Sequence, residues 1–347
     1  MGFDNGKIIR TIRLVLTCFL LFLITWYYEI PEKIWSLITV WFVMSEYSSV
    51  GGVLKKGLFR FLGTFLSAVY SMIIVYAFSN NVVMNIIAFA IGVFIYAYYF
   101  MDGDKMYIAT IGSVTLTIAL LNINQLDVAI LRTFNIIIGI IGSIFMIRFF
   151  YPQYARDEII EIEKNFIKKL SSILDSYLDQ SKSLDCVKAD FLKAELNIIP
   201  GLTSFNRHLG EAKIETRKIP DYEIHHLKAI EHIRHLFRII GVFVNYLTTD
   251  ETRLTPWIHD EINQLLMHLC NIQNTLEGTQ QGITPIILNR QTNPDEALNS
   301  IRLIINHMNN EMNNLNTSIK EIMIRYEVYH PKKNTFTGYE HGKQHQS

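Results

Sequence analysis

The sequence is poor in cysteine and in charge, and each shortage removes a class of protein. Only three cysteines occur in 347 residues, Cys18, Cys186 and Cys270. Their wide spacing fits neither a disulfide framework nor a zinc motif. No phosphate loop, nucleophile elbow or paired-cysteine motif is evident, so an enzyme reading has little support and no cofactor or metal is expected. The formal net charge is zero, so nothing marks a nucleic-acid binder. Charged residues are 18% of the chain against 50% hydrophobic, and they are unevenly placed. Residues 11–151 carry few of them and residues 153–330 carry many. That asymmetry separates a membrane half from a soluble half, whose unpaired cysteines suit a reducing cytosolic face.

What is abundant in the first half is long apolar sequence. A helix needs about 20 apolar residues to cross the hydrocarbon core. Six segments approach that length, near 11–28, 34–50, 58–78, 82–101, 106–121 and 127–150, the fifth being short. The first lacks a small-residue cleavage site and is read as an uncleaved anchor. Cations gather at alternate ends: Lys7, Arg10 and Arg13, then Lys55, Lys56 and Arg60, then Lys105, then Arg148 and Arg156. With six spans these fall on one side. Positive charge marks the cytoplasmic side, which places both termini in the cytoplasm.

Polar residues recur inside these spans at helical spacing. Lys56, Arg60, Gly63, Ser67 and Ser71 share one face. Arg132, Asn135, Gly139, Gly142 and Ser143 share another, and Thr110, Ser113 and Thr117 a third. Span one contributes Arg10, Arg13 and Thr17; span two contributes Ser36, Thr39 and Glu46. Small residues allow membrane helices to approach closely, and hydroxyls hydrogen-bond across them. Lys55 and Lys56 fit the role of flanking cations that snorkel to the interface. Arg60 and Arg132 need another account, because a charge within a span is costly unless it faces protein or water. Two readings stand: an anion pathway, since guanidinium forks suit carboxylates, or structural pairing with Glu46 or Asp127. Glu46 itself is placed to neutralise Arg60 or Lys56, to cap the next turn, or to carry a proton.

One continuous stretch combines Trp35, Thr39, Val40, Glu46, Tyr47, Val50, Gly51, Leu54, Lys56, Gly57, Leu58, Arg60, Gly63 and Thr64. A second combines Arg132, Ile136, Ile137, Ile138 and Gly139, with the exit Tyr151 and Pro152. These two motifs resemble the fusaric acid resistance (FUSC) and aromatic acid exporter superfamily, a broad group that includes plant aluminium-activated malate transporters. The likeness covers about residues 10–155. It implies a transport domain for organic anions, with Arg60 and Arg132 as the pore arginines and two six-span subunits around one basic pore. Many bacterial members carry two transport units in one chain. This chain has one, so a homodimer is the natural completion. The malate branch often has Trp-Glu-Pro after span six; here Tyr-Pro-Gln-Tyr stands instead, and malate selectivity is not carried over.

After Ala155 the pattern becomes amphipathic. Ile159, Ile162, Phe166, Leu170, Ile173 and Tyr177 form one stripe. Ile301, Ile305, Met308, Met312, Leu315, Ile319, Ile322 and Tyr326 form a heptad seam. Helices are predicted near 187–212, broken at Pro200-Gly201, and near 220–247 and 255–277. Residues 279–293 read as a loop and residues 331–347 as a disordered polar tail. Glu223 and His226 have the spacing of half a diiron motif, but only one such pair occurs, and His225, His232 and Lys228 suit an exposed face.

The expected architecture is an all-α membrane protein: a six-span domain over 1–152, a cytosolic helical bundle over 153–330, and the tail. The expected function is transport of small aromatic or dicarboxylic anions across the cytoplasmic membrane by a homodimer. The pathway residues would be Lys56, Arg60, Ser67, Thr110, Ser113, Thr117, Arg132 and Asn135, with Glu46 as charge partner or coupling group. The alternative is a non-transporting scaffold whose bundle binds other proteins.

Overall fold

The computed structural model describes residues 5–45, 49–78, 81–121, 126–179, 182–216, 221–246, 256–277 and 296–329. Among them the chain is helical, with no strand. It divides into two compact units. The first holds residues up to Asp157 together with His208–Glu215; the second holds Glu158–Arg207 and the residues from Thr216 on.

The first unit contains α1 (Asn5–Tyr27), α2 (Ile34–Met44), α3 (Val50–Phe78), α4 (Val82–Phe100), α5 (Met106–Leu121) and α6 (Leu126–Phe149). Contacts sort them into two sets: α1, α2 and α6 pack together, as do α3, α4 and α5, and α3 against α6 joins the sets. Four of the six, α1, α3, α4 and α6, are long and apolar enough to cross a membrane. The other two are short. The span expected over 34–50 stops being helical at Met44, and α5 has 16 residues. Helix α4 shows why these helices suit lipid. Its inward residues are Asn85, Ala88, Gly92 and Tyr96, while Ile86, Ile87, Ile91 and Phe94 point outward. A soluble helix has the reverse polarity.

The second unit contains most of α7 (Ala155–Leu178), α8 (Leu184–Leu196), the first turns of α9 (Ile198–Glu215), then α10 (Tyr222–Tyr246), α11 (Pro256–Leu276) and α12 (Glu296–Tyr329). The helix break expected at Pro200-Gly201 falls earlier, at Asn197. Pro200 sits in the first turn of α9, where a missing N–H costs nothing. Most of the predicted stripe positions are core, with Ile162 only half-buried and the side chain of Tyr326 outside the described residues. Ile159, Phe166, Leu170, Ile173 and Tyr177 are buried, as are Ile301, Ile305, Met308, Met312, Leu315, Ile319 and Ile322. The heptad seam of α12 packs against α10 and α11 of its own chain. The loop and tail expected over 279–293 and 331–347 lie outside the described residues.

The histidines of α10 differ from their expected placement. His225 is buried and pairs with Glu321 at 2.7 Å. His226 is fully buried and meets Glu163 of α7 at 2.8 Å. His232 meets Glu311 at 2.9 Å. His235 lies 3.7 Å from the same Glu311, so the four histidines are served by three carboxylates. Among the described residues, no group of three or more His, Cys, Asp or Glu converges as a metal site would require.

Candidate functional site

The start of α3 is built by residues far apart in sequence. Ser49 caps the helix, its hydroxyl accepting from the Gly52 N–H at 2.9 Å. The Ser49 O–H donates in turn to Glu211. Glu215 accepts from the N–H of Gly51 at 2.7 Å, of Ala155 at 3.0 Å and of Arg156 at 3.4 Å. One carboxylate thus serves the N-termini of both α3 and α7, where helix dipoles favour negative charge. Burial pushes the Glu215 carboxyl above its ordinary range, and the three backbone donors partly offset that. A Cβ on Gly51 would lie 2.2 Å from the Glu211 carbonyl oxygen, so only glycine admits this approach. Arg13 closes the same junction: it is buried and donates to the Tyr151 carbonyl at 3.3 Å and to Gln153 Oε1 at 2.8 Å.

This scaffold presents Lys56 and Arg60, one turn apart on α3. Both are buried, Arg60 to 3% exposure. The Lys56 ammonium lies 4.9 Å from the centre of the Tyr107 ring instead of snorkelling away. Arg60 Nε donates to Thr39 Oγ1 at 3.0 Å and Nη1 donates to Tyr107 Oη at 3.3 Å. Its guanidinium also lies 5.2 Å from the Phe42 ring centre. All these partners are neutral. A guanidinium has five N–H donors, so capacity remains for a further acceptor. Its partner Tyr107 lines a cavity of about 310 Å³ with Lys55, Lys56, Phe59, Asp104 and Thr110, among others. Lys55 is paired with Asp104 there, and Lys56 is the second cation of the lining.

The remaining expected residues divide differently. Thr110 lines the cavity with Lys56, although its hydroxyl also donates to its own helix at Met106. Thr117 donates to the Ser113 carbonyl within α5, so these two satisfy their own helix. Ser67 is fully buried; it donates to the Gly112 carbonyl at 2.8 Å and lies 2.8 Å from the Tyr96 hydroxyl, which makes it a fastener between α3, α4 and α5. Asn135 donates to the Pro31 carbonyl at 2.8 Å and ties α6 to the turn after α1. Arg132 is half-buried, 4.2 Å from the centre of the Trp35 ring. The carboxylate with which it interacts is Glu32, whose Oε2 accepts the Trp35 indole N–H at 3.1 Å. Glu46 and the side chain of Asp127 lie outside the described residues. The two arginines share one link: Thr39, which accepts from Arg60, donates to the Trp35 carbonyl at 2.7 Å.

Sequence reasoning missed Tyr107, Glu211 and Glu215. Tyr107 was within reach, because it precedes Thr110 by three residues and extends the same hydroxyl stripe. The two glutamates carried no local signal. Residues 8–221 match the fusaric acid resistance protein family, a span that runs from α1 through α9 and takes in both glutamates. No curated protein matches the chain.

Proposed function

Because the chain belongs to the fusaric acid resistance protein family, we propose that it moves small organic anions, aromatic or dicarboxylic, across the cytoplasmic membrane. It is a multi-pass membrane protein of transporter type. In this reading α2 and α5 complete a six-span domain as short crossing elements, with both termini in the cytoplasm. A second copy completes the pathway. Lys56 and Arg60 attract the anion, and Tyr107 and Thr39 hold Arg60 in place to receive it.

The observation that carries this reading is Arg60. It is a guanidinium buried to 3% exposure whose described partners are Thr39, Tyr107 and Phe42, none of them charged. Burying a cation among neutral groups is costly, and the cost is offset when an anion visits. Arg fits a carboxylate because two parallel N–H bonds match its two oxygens. Arg132, held between Trp35 and Glu32, acts in this reading at the opposite end of the path, with part of its charge already answered.

The test is anion flux in proteoliposomes, using benzoate and succinate, under an imposed voltage and separately under a pH gradient. Arg60→Gln is expected to lower flux about tenfold or more, the scale of one charge-assisted hydrogen bond. Arg132→Gln is expected to lower it less. The gradient that drives flux separates a channel from a proton-coupled carrier. Folded wild-type protein that passes neither acid under either gradient would return the scaffold alternative.

A further inference from the structure

The second unit carries a cleft of about 880 Å³ between α8, the first turns of α9, and α10. Its floor is apolar, formed by Phe191, Ile198, Leu202, Phe237 and Val242. Gly241 on α10 makes that floor possible. A Cβ there would come within 2.6 Å of the Phe191 ring, so the ring lies directly on the α10 backbone. Glycine inside a helix costs about 1 kcal/mol relative to alanine, and here it gives the cleft its depth.

Arg234 and Arg238 stand on the edge of the cleft, one turn apart on α10. Both are exposed, and neither has a hydrogen bond or ion pair to a described residue. The acid that shares the lining is Glu195, on the α8 side. A second hollow adjoins through the same two arginines and adds Glu231 and His235. His235 lies 3.7 Å from Glu311. The contrast with the histidines of α10 is direct: those have carboxylates, and among the described residues these two guanidiniums have none.

We propose that this cleft binds an amphipathic organic monocarboxylate, its head held by Arg234 and Arg238 and its apolar body lying on Phe191, Phe237 and Leu202. The volume falls within the range of small-molecule sites, roughly 300–1,000 Å³. Two guanidiniums one helical turn apart suit a single anionic head, since each offers a planar fork of donors. An apolar trough of this size takes an aromatic ring system or a short acyl chain. The site is separate from Arg60 and does not depend on transport through it.

The test uses the full chain in lipid nanodiscs. Binding of 2-naphthoate, of octanoate and of neutral 2-naphthamide is followed by saturation-transfer NMR and by calorimetry. Wild type is expected to bind both carboxylates in competition with each other and to bind the amide much more weakly. Arg234→Gln with Arg238→Gln is expected to weaken naphthoate about tenfold or more with an unchanged melting temperature, because both side chains are exposed. In an Arg60→Gln background, which removes binding at the proposed transport path, naphthoate binding through the cleft is expected to persist and to be weakened by the double change. Equal affinity for naphthamide, unchanged affinity in the double variant, or loss of binding in Arg60→Gln would each overturn the proposal. So would a disulfide between two copies through Ile199→Cys, which would assign the cleft to a second subunit.

Discussion

Helix α4 turns Asn85, Ala88, Gly92 and Tyr96 inward and Ile86, Ile91 and Phe94 outward. Helix α7 turns Ile159, Phe166, Leu170 and Ile173 inward, and exposes Glu161, Lys168 and Asp175. Both units have buried apolar clusters, but these two helices expose opposite chemistry, and the reason is the solvent each suits. Lipid does not compete for apolar side chains, so close packing and hydrogen bonds are left to hold the helices together. Water expels apolar surface, so the second unit closes on an aliphatic core. The contrast extends to charge. In the second unit the buried polar groups His225 and His226 meet Glu321 and Glu163. In the first, buried Arg60 meets a hydroxyl and a phenol. In the proposed reading the histidine–carboxylate pairs act as structural fasteners, and Arg60, among neutral groups, is placed to receive an anion.

The comparison breaks most sharply if Arg60 is given what the histidines have. Thr39→Asp replaces a neutral acceptor by a carboxylate of similar size, within reach of Arg60 Nε. Anion flux in proteoliposomes is expected to fall at least about tenfold while the folded protein persists. Undiminished flux would show that Arg60 does not receive the solute. The converse change removes a fastener. Glu163→Ala leaves His226 buried beside no acid, and is expected to cost about 3–5 kcal/mol in the unfolding of the second unit. The double change Glu163→Leu with His226→Leu should recover much of that loss, as read from denaturant midpoints.

Gly51→Ala probes the junction of the first unit. The added methyl meets the Glu211 carbonyl at 2.2 Å, so α3 or α9 must shift. A loss of about 1–3 kcal/mol is expected, with flux falling too if the position of α3 sets Lys56 and Arg60. Wild-type stability and flux in this variant would mean that the junction yields freely.

The smallest effect is expected at His268, a fully buried histidine of α11 with no hydrogen-bond partner on either ring nitrogen among the described residues. Burial holds its pKa below the ordinary value of 6.5, and Lys320 adds to the effect. A depressed histidine pKa means that the folded state binds fewer protons than the unfolded state. Its contribution is therefore full above about pH 6.5 and is lost as pH falls through the depressed folded value. The melting temperature of the second unit should decline on acidification across that range, and His268→Leu should flatten the decline. An identical pH profile in the variant would assign the titration to another group.

The stripes of the second unit were legible because burial follows helical period, and period is a local property of sequence. Every residue of the α12 seam from Ile301 to Ile322 that the pattern picked out is buried. The face carrying Lys56, Arg60, Ser67 and Ser71 was legible for the same reason, and all four are buried. Membership in a membrane transporter family was legible too, in the two motifs around Arg60 and Arg132. What each polar residue touches was not. Ser67 and Arg60 share a stripe, yet one fastens three helices and the other meets Thr39 and Tyr107. Stripe membership fixes direction, and function depends on the partner that lies there.

By itself, then, the sequence determined the helical periods, the contrast between an apolar and a charged half, and the placing of two cations one turn apart on α3. Tertiary structure alone decided that Arg60 rests on Thr39 and Tyr107, that Arg132 stacks on Trp35, and that α3 begins on the carboxylates of α9. Ser49 and Glu211 are 162 residues apart. Such a hydrogen bond leaves no periodic trace, because nothing near either residue changes in composition when the other is brought to it.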